Sequence, residues 1–486
     1  MEEIHRRRFI QTLGSGLLLA PGICSTLMGL PSDFLKALAL ANDEVVERLI
    51  EAQLASGPYR GGLFDQYGIY SAGSTAGFIH RLTAAFCSKD SGRHLQPGLI
   101  LRMEKAVECL LRHQHGDGTI DLATTNFHSP PDTAFVLEPL CVSSAVLAKI
   151  EDSHLDRLKS LLEQFETAAG RALVAGGIHT PNHRWVVCSA LARLHSLRPN
   201  PSYIERIDTW LAEGIDLDPD GQYTERSASI YSPTCDRVLM NVARLLDRPA
   251  LLEPVRKNLE MTLYYLHSNG EVVTEASRRQ DRNLRAYPLG YYLPYRYLAL
   301  RDANPRFAAM TKLIEGYGPE TLSDKLIYFL EDPSLAKPLP ATEPLPDNFF
   351  RHFTHSDLVR VRRGRTSSTI LSGDSRLLSL HKGEAVLEAL RFASAFFGKG
   401  QFRGERLEVR GQNVSMEQRL SGPYYQPLLR HQRRPDGSWG RGDRDLRERS
   451  EEQELFSRTS ITEQDGTFTV EISVSRCAGV PFALEF

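Results

Sequence analysis

Three short segments of this chain repeat one pattern at nearly constant spacing, and that regularity restricts the fold more than any other feature. "FHSPPDTAFV" carries His128-Ser129-Pro130, "IHTPNHRWVV" carries His179-Thr180-Pro181, and "IYSPTCDRVL" carries Tyr231-Ser232-Pro233. The His or Tyr positions lie 51 and 52 residues apart. Tyr70-Ser71 and Tyr287-Pro288 echo the pattern more weakly on either side. Ser or Thr suits a helix N-cap, and Pro suits the first helical position, where a missing N–H costs nothing. Each segment therefore predicts a helix start, with the His or Tyr just ahead of the cap.

Between these starts run second helical patterns, "GLILRMEKAVECLLRHQ", "HLDRLKSLLEQFETAAGRAL", "SYIERIDTWLAEGI" and "LLEPVRKNLEMTLYYLH". They carry more charge, so they take the solvent side, and the pattern-bearing helices take the inside. A helical hairpin repeated at least five times either stacks into an open solenoid or closes into an α/α toroid. Closure is the expectation, because the same chemistry recurs at every inner helix start. Turn-rich loops such as "HGDGTIDLATTN", "DPDGQYTERSAS" and "SNGEVVTEASRR" would then line one shared rim.

The 486 residues, 41% of them hydrophobic, are enough for two domains or more. "DPSLAKPLPATEPLPDN" reads as a semi-rigid Pro-rich linker over 332–348. Beyond it, "LVRVRRGRTSSTILSG", "LEVRGQNVSMEQRL" and "GTFTVEISVSR" alternate polar and apolar residues as strands do. "GEAVLEALRFASAFFG" fits either one helix or a buried strand pair. The expected fold is α+β and multidomain: an α/α toroid over 42–331, then an antiparallel β-sheet domain over 349–486. There "GVPFALEF" reads as ending in mid-strand, so that either the sheet is short of strands or the chain is a fragment.

At the start, Arg6-Arg7 with Phe9-Ile10 resembles a twin-arginine export signal, with Ala37, Ala39 and Ala41 as small residues for cleavage. Residues 1–41 are set aside on that basis, and a periplasmic or secreted protein is expected. Gly14, Gly16, Pro21 and Gly22 interrupt the apolar run, so no membrane span is expected in the mature protein. Net charge is −2 without a long basic block, which argues against nucleic acid as a partner. Seven cysteines with no C-x-x-C read mostly as buried thiols.

Convergent inner-helix N-termini would make a cleft floor of partial positive charge, suited to an anion. Asn182 and His183, at the second and third helical positions, can join their side chains to those N–H groups on one carboxylate. Asn126, His128, His179, Arg226, Arg278 and Arg279 add donors from neighbouring loops, and Glu225 and Glu275 hold the arginines. Tyr223, Tyr231 and Tyr287 offer rings and hydroxyls for sugars. This is a receptor for an acidic saccharide. Neutralising a uronate carboxylate is the electrostatic step that makes its C5 proton removable, and a Tyr or His then moves protons. No cofactor and no metal are expected: His179 and His183 flank the cap rather than share a helix face.

Asn182-His183 at a helix start, followed by "DGQYTERSASIYSP", resembles the heparinase II/III and oligoalginate lyase group. The resemblance implies a toroid followed by a β domain, and cleavage of uronate polysaccharide by β-elimination. It implies that Asn182 and His183 neutralise the carboxylate and that Tyr231 acts as acid or base, with Glu225 and Ser227 completing the motif. The group adds a His from the β domain, for which this chain offers His381.

Two other functions fit the same residues. A glycoside hydrolase, for instance an exo-acting one on terminal glucuronic acid, would use two carboxylates from Asp132, Glu225, Asp236 and Glu275. A non-catalytic glycan-binding protein would use the aromatics and arginines without turnover. Structural roles are open to single residues too: His128 and His179 as pre-cap residues, His183 as a core histidine, Tyr231 as a hydrophobic staple.

Overall fold

The computed structural model describes residues 31–486 apart from position 477. The twin-arginine segment of residues 1–30 lies outside the described residues. The boundary expected at 41 falls inside a helix, α1 (Pro31–Ala52), whose Leu38 and Ala39 are fully buried. The toroid therefore begins at least as early as residue 31.

After α1 the helices alternate as the repeat demands. The inner set is α2 (Ala72–Cys87), α4 (Pro130–Leu147), α6 (Pro181–Leu197), α8 (Tyr231–Leu245) and α10 (Tyr292–Arg301). The outer set is α3 (Pro97–His113), α5 (Asp156–Ala175), α7 (Pro201–Leu211), α9 (Leu252–Thr262) and α11 (Pro305–Glu315). α4 packs between α2 and α6, and α8 between α6 and α10. Burial follows position: α6 is covered from Asn182 to Leu194, whereas α7 buries only Tyr203 and Ile207.

The ring closes through its last segments. α12 (Pro319–Leu322) packs on α1, and α13 (Leu326–Glu331) packs on α1, α2 and α4. Glu331 accepts from Arg193 (2.6 Å) on α6 and Arg244 (3.0 Å) on α8. Glu138 on α4 takes Arg237 and Asn241. Removing one member of such a buried ionic set is strongly destabilising, because the partner charge stays buried and uncompensated.

Four of the five inner helices, α2, α4, α8 and α10, are entered through a tight hairpin, whereas α6 follows α5 directly through residues 176–180. In the second of these, β1 (Ile120–Leu122) pairs antiparallel with β2 (Asn126–Ser129). The first two hairpins are built alike. Leu63 N donates to Thr75 Oγ1 (3.1 Å), and Ile120 N donates to Thr133 Oγ1 (2.9 Å). Gly61 and Gly118 sit at φ +94° and +88°, and a Cβ on either would lie 2.1 Å from an outer-helix carbonyl oxygen, of Lys105 or Ala168. Only glycine fits there.

The Pro-rich stretch is a strap rather than a free spacer. Arg296 donates to the carbonyls of Leu335 (2.6 Å) and Lys337 (3.2 Å), and Leu335, Leu339 and Leu345 pack on the toroid core. Two antiparallel sheets follow. One runs β12-β7-β6-β5-β4-β3, from β3 (Asn348–Phe353), β4 (Leu358–Arg363), β5 (Thr366–Leu371), β6 (Leu378–Lys382), β7 (Ala385–Ser394) and β12 (Phe482–Glu485). The other runs β11-β10-β9-β8, from β8 (Glu408–Arg410), β9 (Asn413–Tyr425), β10 (Arg449–Gln464) and β11 (Thr467–Ser475). Val359, Ile370 and Phe392 of the first meet Val414, Met416 and Ile461 of the second in one core. The ambiguous "GEAVLEALRFASAFFG" is the single strand β7, because pairing with β6 and β12 outweighs its helical pattern.

The two domains are joined firmly. Met261, Tyr265, Val272 and Val273 pack with Phe353, Leu358 and Leu371. Buried Arg360 donates to the Tyr264 (3.2 Å) and Leu266 (2.9 Å) carbonyls. No helix of the described residues is long and apolar enough to cross a membrane.

Candidate active site

The N-terminus of α6 forms as the sequence implies, with Thr180 at the cap and Pro181 first in the helix. Thr180 makes no side-chain cap bond; its hydroxyl accepts instead from Asn182 Nδ2 (3.3 Å). The same amide donates to Glu225 Oε2 at 2.6 Å, and Asn182 Oδ1 is buried with no partner. Glu225 Oε1 lies 3.2 Å from Arg279 Nε, an ion pair whose angle misses hydrogen-bond geometry. The Arg279 guanidinium in turn sits 5.0 Å from the ring centroid of Tyr231. Gln280 Nε2 donates to the Tyr231 hydroxyl at 2.8 Å. A continuous chain thus runs Asn182, Glu225, Arg279, Tyr231, drawn from three rim loops.

α8 begins differently from the expectation. Tyr231 is the first helical residue rather than the residue ahead of the cap, and Ser227 Oγ accepts from its N–H (3.1 Å). The turn at Arg226, with φ +52°, brings Ser227 into that capping position. Asp281 locks the arginine loop against this turn: it accepts from Ser277 Oγ, Ser229 N (3.1 Å) and Ser229 Oγ (2.8 Å). Gln280 and Asp281 were missed in the sequence, where only their adjacency to Arg278-Arg279 marked them.

The histidines complete one wall. His179 is exposed just before the cap, and its ring meets that of His183 edge-on at 4.7 Å. Burial, and then His179, hold His183 down to about 4, so its ring is neutral near pH 7 and its buried Nδ1 has no partner. Burial pushes the Glu225 carboxyl up, while Asn182 and Arg279 act against that rise. The contact with Tyr231 is the largest cause holding Arg279 more firmly protonated; burial, next in size, opposes it, and the Glu225 charge adds to the rise.

Other expected site residues are placed elsewhere. Tyr223 is buried and donates to Asp236 (2.9 Å), so it supports the core and offers no ring to a sugar. Glu275 is buried in the domain joint, 3.3 Å from His267 and accepting from Ser379 (2.6 Å) and Thr369 (3.2 Å). It holds none of the cleft arginines. His381 is buried in the same joint, its ring stacked on His267 at 3.8 Å. Arg226 clamps the β domain through the carbonyls of Ser356 (2.7 Å) and His355 (3.0 Å). Tyr287 packs on Tyr317. Asn126 donates to Asp132 (2.8 Å), and His128 pairs with Asp117 (2.9 Å) while stacking on His115; both serve their own hairpin. Arg278 is exposed and, with Arg226, Arg282 and Asp374, lines a recess of about 370 Å³ between the domains.

No protein-family model and no curated protein matches the chain. Solved structures do. A Streptomyces coelicolor A3 chondroitin AC lyase in complex with chondroitin sulphate aligns over 92% of this chain and 67% of its own, at TM-score 0.59 and 14% identity. A Paenibacillus xanthan lyase aligns over 94% of this chain at TM-score 0.60 and 10% identity, and this chain spans about half of it (47%). Heparinase III aligns over 93% of this chain and 84% of its own, at TM-score 0.53 and 10% identity. The fold of this chain, an α/α toroid followed by antiparallel β sheets, is the fold of the toroid polysaccharide lyases.

Proposed function

We propose that the chain is a polysaccharide lyase that cleaves uronate-containing glycan by β-elimination. The observation that supports this reading is the Asn182–Glu225–Arg279–Tyr231 chain at the mouths of α6 and α8. In the reaction the C5 proton leaves, the C4=C5 double bond forms, the C4–O4 bond breaks, and the departing O4 takes a proton. The electrostatic difficulty is charge building beside a carboxylate. Arg279, the Asn182 amide and the N-terminal N–H groups of α6 supply fixed positive potential for it. Neutral His183 adds a donor without competing as a cation. The Tyr231 hydroxyl moves the proton, held in direction by Gln280.

Folding pre-positions these groups, so little reorganisation is needed when charge develops. The hydrolase alternative loses two of its four carboxylates, since Asp236 is buried against Tyr223 and Glu275 lies in the domain joint. The test is incubation with hyaluronan, chondroitin sulfate, heparan sulfate, alginate and xanthan, following ultraviolet absorbance together with reducing ends. Absorbance from an unsaturated uronate, abolished in Tyr231→Phe with glycan binding retained, is the expected result. Reducing ends without absorbance would establish hydrolysis instead. The twin-arginine pattern supports export of such an enzyme to the periplasm or medium, where the polymer is found; fractionation of cells carrying the full chain tests that.

A further inference from the structure

The longest hairpin of the β domain carries a feature that the cleft does not use. β9 and β10, of 13 and 16 residues, are joined by residues 426–448. Between positions 430 and 447 this connection holds six arginines against three aspartates, a local charge of +3 on a chain whose net charge is −2. It is a built lobe rather than an open loop. Buried Asp443 accepts from Arg434 (2.9 Å) and from Gly440 N (2.6 Å), tying the two halves together. Arg447 is fixed by the Gln426 carbonyl (3.0 Å) and stacks at 4.1 Å from the Trp439 ring centroid. Trp439 nevertheless remains 61% exposed. Arg430, Arg433 and Arg444 are exposed without an acidic partner among the described residues.

We infer that this lobe is a second, non-catalytic binding site for an acidic polysaccharide chain. The inference rests on the proposed uronate substrate for the occupant's identity and on the lobe's own geometry for its chemistry. An indole with one face open suits the apolar face of a sugar ring. Guanidinium groups in the same lobe with no acidic partner among the described residues suit carboxylate or sulfate, with a planar fork that matches either. A membrane surface fits less well, because the lobe's helical turns are three and four residues long and cannot form an amphipathic helix. One polymer held at the lobe and in the cleft gains affinity through effective concentration, whereas a short oligosaccharide reaches one site only.

The experiment uses the full chain carrying Tyr231→Phe, so that polymer survives, in affinity electrophoresis with hyaluronan and heparan sulfate and with neutral dextran as control. Adding Trp439→Ala, or separately Arg430→Ser with Arg444→Ser, lowers affinity for the retaining polymer about tenfold and flattens its salt dependence. Neither change shifts the thermal midpoint or affects cleavage of a short oligosaccharide when Tyr231 is intact. Unchanged retention in both lobe variants overturns the inference. So does equal retention by dextran, tighter binding to phosphatidylserine vesicles or duplex DNA, or no retention by either acidic polymer. Retention that needs the lobe, without unsaturated product from the unsubstituted enzyme, would remove the lyase reading and leave the lobe's site standing.

Discussion

Replacing Arg279 with Gln removes a cation that the structure places between Glu225 and Tyr231, while keeping a hydrogen-bonding side chain. At 5.0 Å from the phenol ring, with an effective dielectric near 20, a full unit of charge is worth about 3 kcal/mol. A transition state carrying half of that charge on the phenol oxygen loses about half as much, so kcat falls roughly 15-fold. A second effect follows from Glu225. Burial raises its carboxyl, and Arg279 is one of the two groups opposing that rise. Without the guanidinium the pKa climbs further, Glu225 loses its charge at higher pH, and its hold on Asn182 weakens. The acid limb of the rate profile therefore moves upward. Initial rates of unsaturated product at saturating polymer, taken from about pH 5 to 9, measure both effects. Arg279→Lys restores most of the rate by returning the charge, though not the planar fork. A Gln variant within about twofold of the parent at every pH would refute the assignment of Arg279 to charge stabilisation.

Asn182→Ala leaves buried Glu225 Oε2 without its donor, so unfolding free energy drops by about 1–3 kcal/mol along with activity; unchanged denaturation midpoints would show that the amide is not holding the carboxylate. Gly118→Ala forces a Cβ against the Ala168 carbonyl at a positive φ, and thermal stability falls by about 1–3 kcal/mol. A neutral outcome there would mean that the rim hairpin can shift away from α5. Burial, as the largest cause, holds His80 and His183 to about 4 and His381 to about 3. The unfolded chain protonates these groups below about 6.5 while the native state does not, so it binds more protons and stability falls as pH drops from there towards 4. Denaturant midpoints at either end of that window measure the slope, which His183→Gln reduces; midpoints that are flat with pH would contradict the burial argument.

Much of the toroid was legible because it is a local property repeated. Ser71 and Ser129 cap, Thr180 occupies the cap position, Pro130 and Pro181 open their helices, and the charge contrast between α6 and α7 sorts inner from outer. Asn182, His183, Glu225 and Tyr231 were legible for the same reason, each lying within a few residues of a helix start. Arg279 was one of several arginines with equal claim, and nothing in "EASRRQDR" separates it from Arg278 or Arg282. Tyr223 and Tyr231 likewise share one short segment. One enters the core to meet Asp236 and the other opens the helix at the cleft, because the turn at Arg226 reverses the chain between them.

What the sequence alone determined, then, is periodicity: hairpins of about fifty residues, their polarity, and a Pro-rich passage into strands. Those follow from caps, proline geometry and amphipathic spacing, which act over a few residues. Which carboxylate meets which arginine was decided only when the ring closed. Glu225 and Arg279 are 54 positions apart, and Glu275 and Ser379 are 104 apart. Pairings at such separations carry no local signature, since only packing of α6, α8 and the β domain brings the partners within hydrogen-bond distance.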